Sequence, residues 1–299
     1  MKRFFQIIAS ILLFSLFACN EDRAIAFVDY EPKIVVEGSI ETGESPIVML
    51  SWSASFEQPL DTFSLLKQVI RSAKVSVSDG EQTETLTLGV NHDYIPPYTY
   101  YGSRLKGETG KTYRLEIEYR SGLISAETTI PAAAPLDSCR FVKNAPNDTT
   151  GYVRICFKNR SDVFYQVATR VRSHYSSKKG QWEKTAETVF MPCLYGNFPA
   201  TQFAKNEDVE MQINKGPIIF AYAKTQFNTY FVEGDKIELK FRTQTKQAYD
   251  FWSSWQSEIL NARNPIFPAV GNLQSNIEGG IGVWAGYGTY KYIVDTRNR

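Results

Sequence analysis

The sequence predicts a mostly β fold, arranged as a β-sandwich domain followed by a second β-rich domain with one helix. Three observations support this prediction. Aromatic residues make up 14% of the chain, with 17 Tyr and 19 Phe, and such side chains favour pleated, half-buried surfaces. Short runs of alternating polar and apolar residues recur, with turn residues between them. One later segment shows apolar residues at helical spacing instead.

Residues 1–18 have the pattern of a secretory leader. Lys2 and Arg3 provide positive charge, and the apolar run that follows is shorter than the roughly 20 residues that a membrane span needs. The run ends in LFAC, with Cys19 last, which resembles the lipobox of bacterial lipoproteins. We therefore expect cleavage before Cys19 and lipid attachment to its thiol, which would hold a water-soluble protein at a membrane. An ordinary signal peptide with an unmodified cysteine is the alternative.

Residues 19–30 are predicted to form a lipidated linker. Glu21 and Asp22 resemble the export signal that sends lipoproteins of Bacteroidetes to the outer face of the outer membrane. We therefore expect a lipid-anchored outer-membrane protein that faces the cell exterior. A solvated charged linker would explain the two acids equally well, and the periplasmic face stays open as an alternative.

The composition of the mature chain argues against nucleic acid as a partner. Loss of Lys2 and Arg3 with the leader takes the formal net charge from +1 to about −1. A chain with this balance has no overall electrostatic attraction to nucleic acid or to anionic lipid. The 281 residues that remain are enough for two ordinary domains, each with its own core.

Residues 31–131 are predicted to form an immunoglobulin-like or fibronectin type III-like β-sandwich. Short strands with turn signals at a spacing of roughly 8 to 12 residues are typical of this fold. The DGEQ stretch after Ser78 is a hairpin signal, and the alternation around Leu115 indicates a strand with one wet face. Residues 60–73 are predicted as a helical turn or as a loop across the sandwich edge. The predicted strands are 33–40, 46–55, 73–80, 83–90 and 110–131.

Pro131 and Pro135 mark a predicted domain boundary, because proline removes a ladder donor and restricts the residue before it. Residues 135–299 are predicted to form the second β-rich domain, with strand-like runs such as YVRICFKN, FYQVATRVRSHY, GPIIFAYAKTQF and YFVEGDKIELKFRTQT. Residues 247–263 are predicted to form an amphipathic helix that packs on a sheet. Its apolar positions are Ala248, Phe251, Trp252, Trp255, Ile259 and Ala262.

Three cysteines remain once Cys19 carries lipid, so at most one disulfide can form among Cys139, Cys156 and Cys193. Cys139 and Cys156 lie on two neighbouring strand-like runs. If the apolar faces of these runs pair, the two thiols are out of register. We therefore expect free cysteines that are buried or half-buried.

The best candidate for a binding site is the loop NHDYIPPYTYYGSRLKG. Tyrosine offers a rigid aromatic face and a hydroxyl group, which suits the surfaces of partner proteins and of sugars. The alternative is that these rings cover the end of the sandwich core. GNFPATQF, residues 196–203, is a second candidate loop. The candidate binding residues are Tyr94, Tyr98, Tyr100, Tyr101 and Arg104.

Other motifs do not predict an active site. Gly280, Gly282 and Ala285 have the spacing of a dinucleotide fingerprint, but that site needs a helix next, whereas glycines follow here. We expect these glycines to permit close backbone approach or bulges in a final hairpin. His92 and His174 lie in different predicted domains, so neither a metal site nor a Ser-His-Asp triad is predicted. No catalytic residue, metal or cofactor is assigned.

Four segments together resemble one family. They are IVVEGSIETGESPIVMLSWSASF, the GKTYRLEIEY and SAETTIP pair, FVEGDKIELKFRTQTKQAYDFW, and NPIFPAVGNLQSNIEGGIGVWAGYG. In this order they resemble the Bacteroidetes lipoproteins grouped as DUF4249, over nearly the whole mature chain. The resemblance implies an outer-membrane lipoprotein that is often encoded beside a TonB-dependent receptor. It implies no biochemical activity and no catalytic residues.

These observations lead to one expected function and two alternatives. We expect a non-enzymatic, lipid-anchored surface protein that acts as an accessory or partner of a TonB-dependent transporter. A surface module that binds a glycan or a peptide through the Tyr94–Tyr101 loop is the first alternative. A hydrolase is the second, because the paired carboxylates of a glycosidase need to be close only in space.

Overall fold

A nine-stranded sheet carries strands from both predicted domains. The computed structural model describes residues 31–53, 66–94, 96–185, 189–216, 229–261 and 273–297. The predicted leader, Cys19, Glu21 and Asp22 lie outside these residues, as does nearly all of the predicted strand GPIIFAYAKTQF. Residues 33–299 cluster as one compact unit.

The strands are β1 (Ile34–Glu41), β2 (Ile47–Trp52), β3 (Lys74–Ser78), β4 (Thr83–Thr85), β5 (Thr87–Val90), β6 (Tyr98–Tyr101), β7 (Thr112–Tyr119), β8 (Gly122–Thr129), β9 (Ser138–Lys143), β10 (Thr150–Lys158), β11 (Phe164–Ser176), β12 (Gln181–Lys184), β13 (Met191–Pro199), β14 (Asp208–Ile213), β15 (Phe231–Val232), β16 (Asp235–Gln244) and β17 (Ile281–Asp295). Helix α1 (Lys246–Asn261) follows β16, and a short 3-10 turn (Ala200–Gln202) follows β13.

The large sheet has the strand order β12-β11-β16-β17-β1-β2-β6-β5, and β13 also pairs with β11. At its centre β17 runs parallel to β1 and antiparallel to β16. This long strand joins the two halves of the fold, because Trp284 lies in the first hydrophobic core and Val294 in the second.

The first core lies between the large sheet and a small sheet of order β4-β3-β7-β8. Alternate residues of each strand point into it, among them Val36 and Ile40 of β1. Trp284 is fully buried, and its indole nitrogen donates a hydrogen bond to the carbonyl oxygen of Tyr113 at 2.9 Å. The largest side chain of this core therefore has its polar atom satisfied.

The second core lies between the other half of the large sheet and a sheet of order β14-β10-β15, in which β9 also pairs with β10. Its centre is aromatic. The ring of Phe157 has its centroid 5.1 Å from that of Tyr165 and 5.0 Å from that of Phe241. The hydroxyl of Tyr165 accepts a hydrogen bond from the backbone N–H of Arg160 at 2.9 Å. The mostly β class predicted from the sequence is confirmed.

The segment between the two cores crosses β17 at its glycines. A Cβ atom on Gly286 would lie 2.7 Å from the carbonyl oxygen of Thr129, and one on Gly288 would overlap the carbonyl oxygen of Pro131. The predicted close backbone approach is therefore confirmed. The predicted final hairpin is wrong, because β17 is one uninterrupted strand, Ile281–Asp295. A dinucleotide site would need a helix at this position. The first core takes most of its residues from before the predicted boundary at Pro131 and Pro135, but Ile277 and Trp284 from beyond the boundary also belong to it, and the large sheet continues across it.

Helix α1 packs on the face of the large sheet that is turned away from both cores. Its residues Ala248 and Phe251 contact Val283, Ala285 and Tyr287 of β17. The predicted amphipathic helix on a sheet is thus confirmed over Lys246–Asn261, and the rest of the predicted range lies outside the described residues.

Two of the segments that were predicted as single strands each form two strands in the structure. The run 83–90 changes sheets at the buried Leu86, so that β4 pairs with β3 while β5 pairs with β6. The run 110–131 is the hairpin of β7 and β8, which turns at Arg120 with φ of 54°. In the run 83–90 the alternation continues through the change of direction, so the pattern gives no sign of it. In the run 110–131 the inward positions change from odd numbers in β7 to even numbers in β8, across the exposed residues 120–123.

The prediction of an exposed loop at GNFPATQF is wrong. Its first four residues end β13, and the next three form the 3-10 turn. Phe198 of the strand and Ala200 of the turn are both buried in the second core. Farther upstream, residues 66–68 form a helical turn, one of the two structures predicted there.

The cysteine prediction is confirmed for the three cysteines of the described residues. Cys139 lies opposite Ile155, and Cys156 lies opposite Ser138, so the two thiols are out of register. Cys139, Cys156 and Cys193 are all free, the first two half-buried and the third buried. Burial raises the thiol pKa of Cys139 and of Cys193 to about 12, which makes both poor nucleophiles.

Candidate functional site

Polar residues cover one face of the large sheet where its strands meet α1. On β16, Ile237, Leu239 and Phe241 point into the second core, so the alternate residues, among them Lys240 and Arg242, lie on the opposite face. Such a face is usually wet when only one side of a sheet packs on a core. Here α1 packs on part of it, and these polar side chains are buried.

Five of these residues form what we call the polar cluster. Each is at most 8% exposed, so the group lies away from bulk water. They come from strands that are distant in sequence but close in the sheet, namely β1, β11 and β16. The members are Glu41, Gln166, Lys240, Arg242 and Gln244.

Two cations converge on a single carboxylate oxygen in the polar cluster. Nζ of Lys240 donates to Oε1 of Glu41 at 2.8 Å, and Nη2 of Arg242 donates to the same oxygen at 2.5 Å. Nη1 of Arg242 donates to Oε1 of Gln166 at 2.9 Å. The guanidinium therefore connects β16 to both β1 and β11.

A chain of amides connects the polar cluster to α1. Nε2 of Gln244 donates to Oδ1 of Asn197 at 2.5 Å, and Nδ2 of Asn197 donates to Oγ of Ser253 at 2.8 Å. Nearby, the indole nitrogen of Trp252 donates to the hydroxyl of Tyr287 at 2.7 Å, and the guanidinium carbon of Arg242 lies 4.5 Å from the centre of the Tyr287 ring. The helix is thus held on the sheet by polar as well as apolar contacts.

An outer layer of charge ties the β5–β6 loop to β11. Nη1 of Arg170 lies 2.9 Å from Oδ2 of Asp93 in that loop, and Nε of Arg170 donates to Oε2 of Glu238 at 2.7 Å. The ring of Phe190 faces both Arg170 and Lys240, with the cationic groups 4.3 and 4.4 Å from its centre. This loop therefore borders the polar cluster.

The pKa values of the polar cluster show how closely its charges interact. Burial raises the pKa of Glu41, but the charges of Arg242 and Lys240 outweigh it and lower the pKa to about 2. Burial, together with the charge of Arg242, lowers the pKa of Lys240 to about 8, against the opposing effect of Glu41. Both residues are therefore charged at pH 7, Lys240 with a much reduced margin.

Four buried side-chain atoms of the polar cluster have no hydrogen-bond partner in the described part of the chain. They are two acceptors, Oε2 of Glu41 and Oε1 of Gln244, and two donors, Nε2 of Gln166 and Nε of Arg242. An unpaired buried polar group costs about 1–3 kcal/mol, so four of them cost an amount comparable to the stability of a whole domain. This concentration of unmet hydrogen bonds marks the polar cluster as the candidate site.

The amide orientations that leave these atoms unpaired follow from their neighbours. The oxygen of Gln166 faces Arg242, which can only donate, so its nitrogen must point elsewhere. The nitrogen of Gln244 also faces the carbonyl oxygen of Tyr165 at 3.3 Å, which can only accept. Rotating either amide would replace a hydrogen bond with a repulsion.

The structure divides the predicted binding residues. Tyr94 is half-buried and close enough to Glu41 and Arg242 for their charges to act on its hydroxyl, and burial raises its pKa to about 12. The other four residues lie elsewhere, so the loop does not present them as one surface. These are Tyr98, Tyr100, Tyr101 and Arg104.

Each of the other four has a different environment. Tyr100 is 3% exposed and belongs to the first core, as the packing alternative predicted, whereas Tyr101 is 44% exposed. Tyr98 lies beneath the guanidinium of Arg71, whose carbon is 4.2 Å from the centre of the ring. The side chain of Arg104 is exposed, and its Nε lies 3.9 Å from the carboxylate of Glu84.

Comparison with known protein families identifies one family. The family model described as a domain of unknown function, DUF4249, matches residues 21–293. The chain belongs to the DUF4249 family. No curated protein matches it.

The two histidines of this DUF4249 protein are not members of the polar cluster. Nδ1 of His174 is 2.9 Å from Oδ1 of Asp235, whose other oxygen accepts from the backbone N–H of Val232, so this pair orders a turn. His92 lies in the turn before Tyr94. Among the described residues no three side chains of His, Cys, Asp or Glu come together in a way that could hold a metal ion.

The residues of the polar cluster in this DUF4249 protein were not predicted. A signal was present, since charged residues alternate with apolar ones along DKIELKFRTQ and an amphipathic helix follows at once. A helix directly after a strand can pack back on the sheet and bury polar residues there. Assigning Glu41 and Gln166 to the same place required the strand order, which the sequence does not show.

Proposed function

We propose that the chain is a lipid-anchored outer-membrane protein that acts, without catalysing a reaction, as a partner of a TonB-dependent transporter at the cell surface. The observation that supports the anchor is the segment LFAC with Cys19 last, followed at once by Glu21 and Asp22. The transporter partnership rests on what the resemblance to the DUF4249 lipoproteins implies. The compact unit begins at Lys33, well after this segment, so lipid on Cys19 would leave the whole folded part in water. The described helices include none that is long and apolar enough to cross a membrane.

The test is affinity purification of the full-length protein from native membranes after mild cross-linking. We expect recovery of a β-barrel transporter with the wild-type protein. Cys19→Ala should release the protein from the membrane fraction and abolish this recovery, because the acyl chains supply the membrane affinity.

Cys156→Ala is the matched control, because it removes a thiol without touching the anchor. It should leave both membrane attachment and transporter recovery unchanged. Repeated recovery of the wild-type protein alone would refute the partnership, and a mature N-terminus other than Cys19 would refute the anchor.

A second candidate function is a surface module that binds a glycan or a peptide. The specific observation in its favour is the polar cluster, which has unpaired donors and acceptors and whose charges act on the hydroxyl of Tyr94 in the predicted binding loop. Tyr94→Ala is expected to reduce retention of a surface ligand from extracts of the native habitat, whereas Tyr101→Ala is expected to leave it unchanged. Equal retention by both variants and the wild type would remove this candidate.

A further inference from the structure

We propose that the polar cluster binds a neutral, polyhydroxylated ligand, that is, a carbohydrate. This inference rests on the second candidate function above and names the chemical class of its ligand. It starts from the four unpaired atoms, which belong to side chains more than nine-tenths buried. Hydrogen bonds join the side chains of Glu41, Arg242 and Gln166. Gln244 lies two residues after Arg242 on the same face of β16.

The mixture of unpaired donors and acceptors selects the chemistry of the ligand. An anion would pair with Nε of Arg242 and Nε2 of Gln166, but it would also face the unpaired oxygens of Glu41 and Gln244. A cation would pair with the two oxygens and face the two donors. A hydroxyl group both donates and accepts, so a ligand that carries several hydroxyls can offer partners to the unpaired donors and to the unpaired acceptors alike.

The ion pairs of the polar cluster argue against a zwitterion such as a peptide terminus. Oε1 of Glu41 already accepts from Lys240 and Arg242, at 2.8 and 2.5 Å. An ammonium group at Oε2 would be a third cation on one carboxylate, and a ligand carboxylate at Arg242 would lie next to that of Glu41. A neutral hydroxyl adds hydrogen bonds and no charge.

The surroundings of the polar cluster suit a sugar ring. Lys240 and Arg242, at 8%, are the most exposed members of the polar cluster, so a ligand would approach it past these two side chains. Tyr94 and Phe190 are half-buried beside it, and aromatic rings pack well against the C–H face of a sugar. The salt bridge between Arg170 and Asp93 connects the loop that carries Tyr94 to β11.

The test is calorimetric titration of the full mature lipoprotein in detergent. The probes are neutral oligosaccharides of glucose, mannose, xylose and galactose, with the peptide Gly-Gly-Gly and inorganic phosphate as charged alternatives. We expect at least one oligosaccharide to bind, and the two charged probes to give no heat at concentrations up to about 10 mM. Binding of Gly-Gly-Gly or phosphate in place of the oligosaccharides would overturn the inference, as would no heat from any probe.

Two variants locate the binding. Gln166→Met and Gln244→Met keep the length of the side chain. Each removes an unpaired atom together with the other amide atom, which bonds Arg242 or Asn197, and each should weaken binding at least about tenfold. Tyr101→Ala, an exposed change away from the polar cluster, should alter binding less than about twofold. Unchanged affinity in both methionine variants would place the site elsewhere and overturn the inference.

Hydrogen–deuterium exchange provides a readout that needs no variant. The bound oligosaccharide should slow exchange in β16 and in the loop around Tyr94, and protection confined to other segments would also overturn the inference. None of these outcomes affects the transporter partnership, which the membrane purification tests independently.

Discussion

Gly288 lies directly beneath the carbonyl oxygen of Pro131, and a Cβ atom at this glycine would overlap that oxygen. The overlap is between two backbone segments, so relief requires movement of β17 or of the segment between the cores. We expect Gly288→Ala to lower the free energy of unfolding by about 1–3 kcal/mol, measured by urea denaturation. Gly122→Ala is the control, because its Cβ would lie 3.5 Å from the nearest atom, and it should change stability by no more than about 0.5 kcal/mol. Equal losses in the two variants would contradict this account.

The contribution of Glu41 to the free energy of unfolding should depend on pH. The pKa of Glu41 is about 2 in the folded protein and 4.5 in the unfolded chain, so its contribution is complete above pH 4.5 and is lost as the pH falls toward 2. The shift corresponds to about 3 kcal/mol at neutral pH. We expect Glu41→Gln to be destabilised relative to the wild type at pH 7, by an amount that shrinks between pH 4.5 and pH 2.

Urea denaturation across this pH range measures the difference between the two proteins. Glu118→Gln is the control, because its pair with Lys74 is exposed and adds little stability. A difference between Glu41→Gln and the wild type that stays constant with pH would show that packing, and not charge, holds Glu41 in place.

Lys240 should change the stability of the protein at alkaline pH. The pKa of Lys240 is about 8 in the folded protein and 10.5 in the unfolded chain, so the unfolded chain holds more protons between these pH values. The free energy of unfolding contributed by this group therefore rises as the pH increases from 8 to 10.5. We expect the stability of the wild type to rise relative to that of Lys240→Met over this interval, and a parallel pH dependence of the two proteins would refute the lowered pKa.

Tyr100 and Tyr101 are neighbours with opposite roles. The hydroxyl of Tyr100 donates to the carbonyl oxygen of Ile70 at 3.0 Å and accepts from the N–H of Ala73 at 3.1 Å. We expect Tyr100→Phe to lower the free energy of unfolding by about 1–3 kcal/mol, because it leaves those backbone groups unpaired in the first core. Tyr101→Phe should be neutral within about 0.5 kcal/mol. Thermal unfolding of the two variants makes the comparison, and equal behaviour would show that the buried hydroxyl of Tyr100 adds nothing.

The fold class followed from the sequence because alternation is a local property. Val36 and Ile40 repeat with period two within a single strand, and Ala248 and Phe251 repeat with the helical period within a single helix. Changes of direction were harder to predict, because the alternation passes through Leu86 as though β4 and β5 were one strand.

The candidate site could not be predicted in the same way. The sequence places Tyr98, Tyr100 and Tyr101 side by side, yet β6 turns them to different surroundings. It places Glu41 and Arg242 in different predicted domains, although they share a hydrogen bond. Period-two patterns tell which residues share a face of one strand, whereas the neighbours of that strand depend on long-range pairing.

The position of β17 also has a consequence for biosynthesis. Val35 of β1 pairs with Ile281 of β17, so the ribosome synthesises β17 about 240 residues after its neighbour β1. Until then β1 has an unpaired edge, and edges of this kind readily join strands of other molecules. A ribosome-bound or truncated polypeptide that stops before residue 281 therefore cannot complete either sandwich, and we expect such fragments to aggregate or to be degraded instead of persisting as half-molecules.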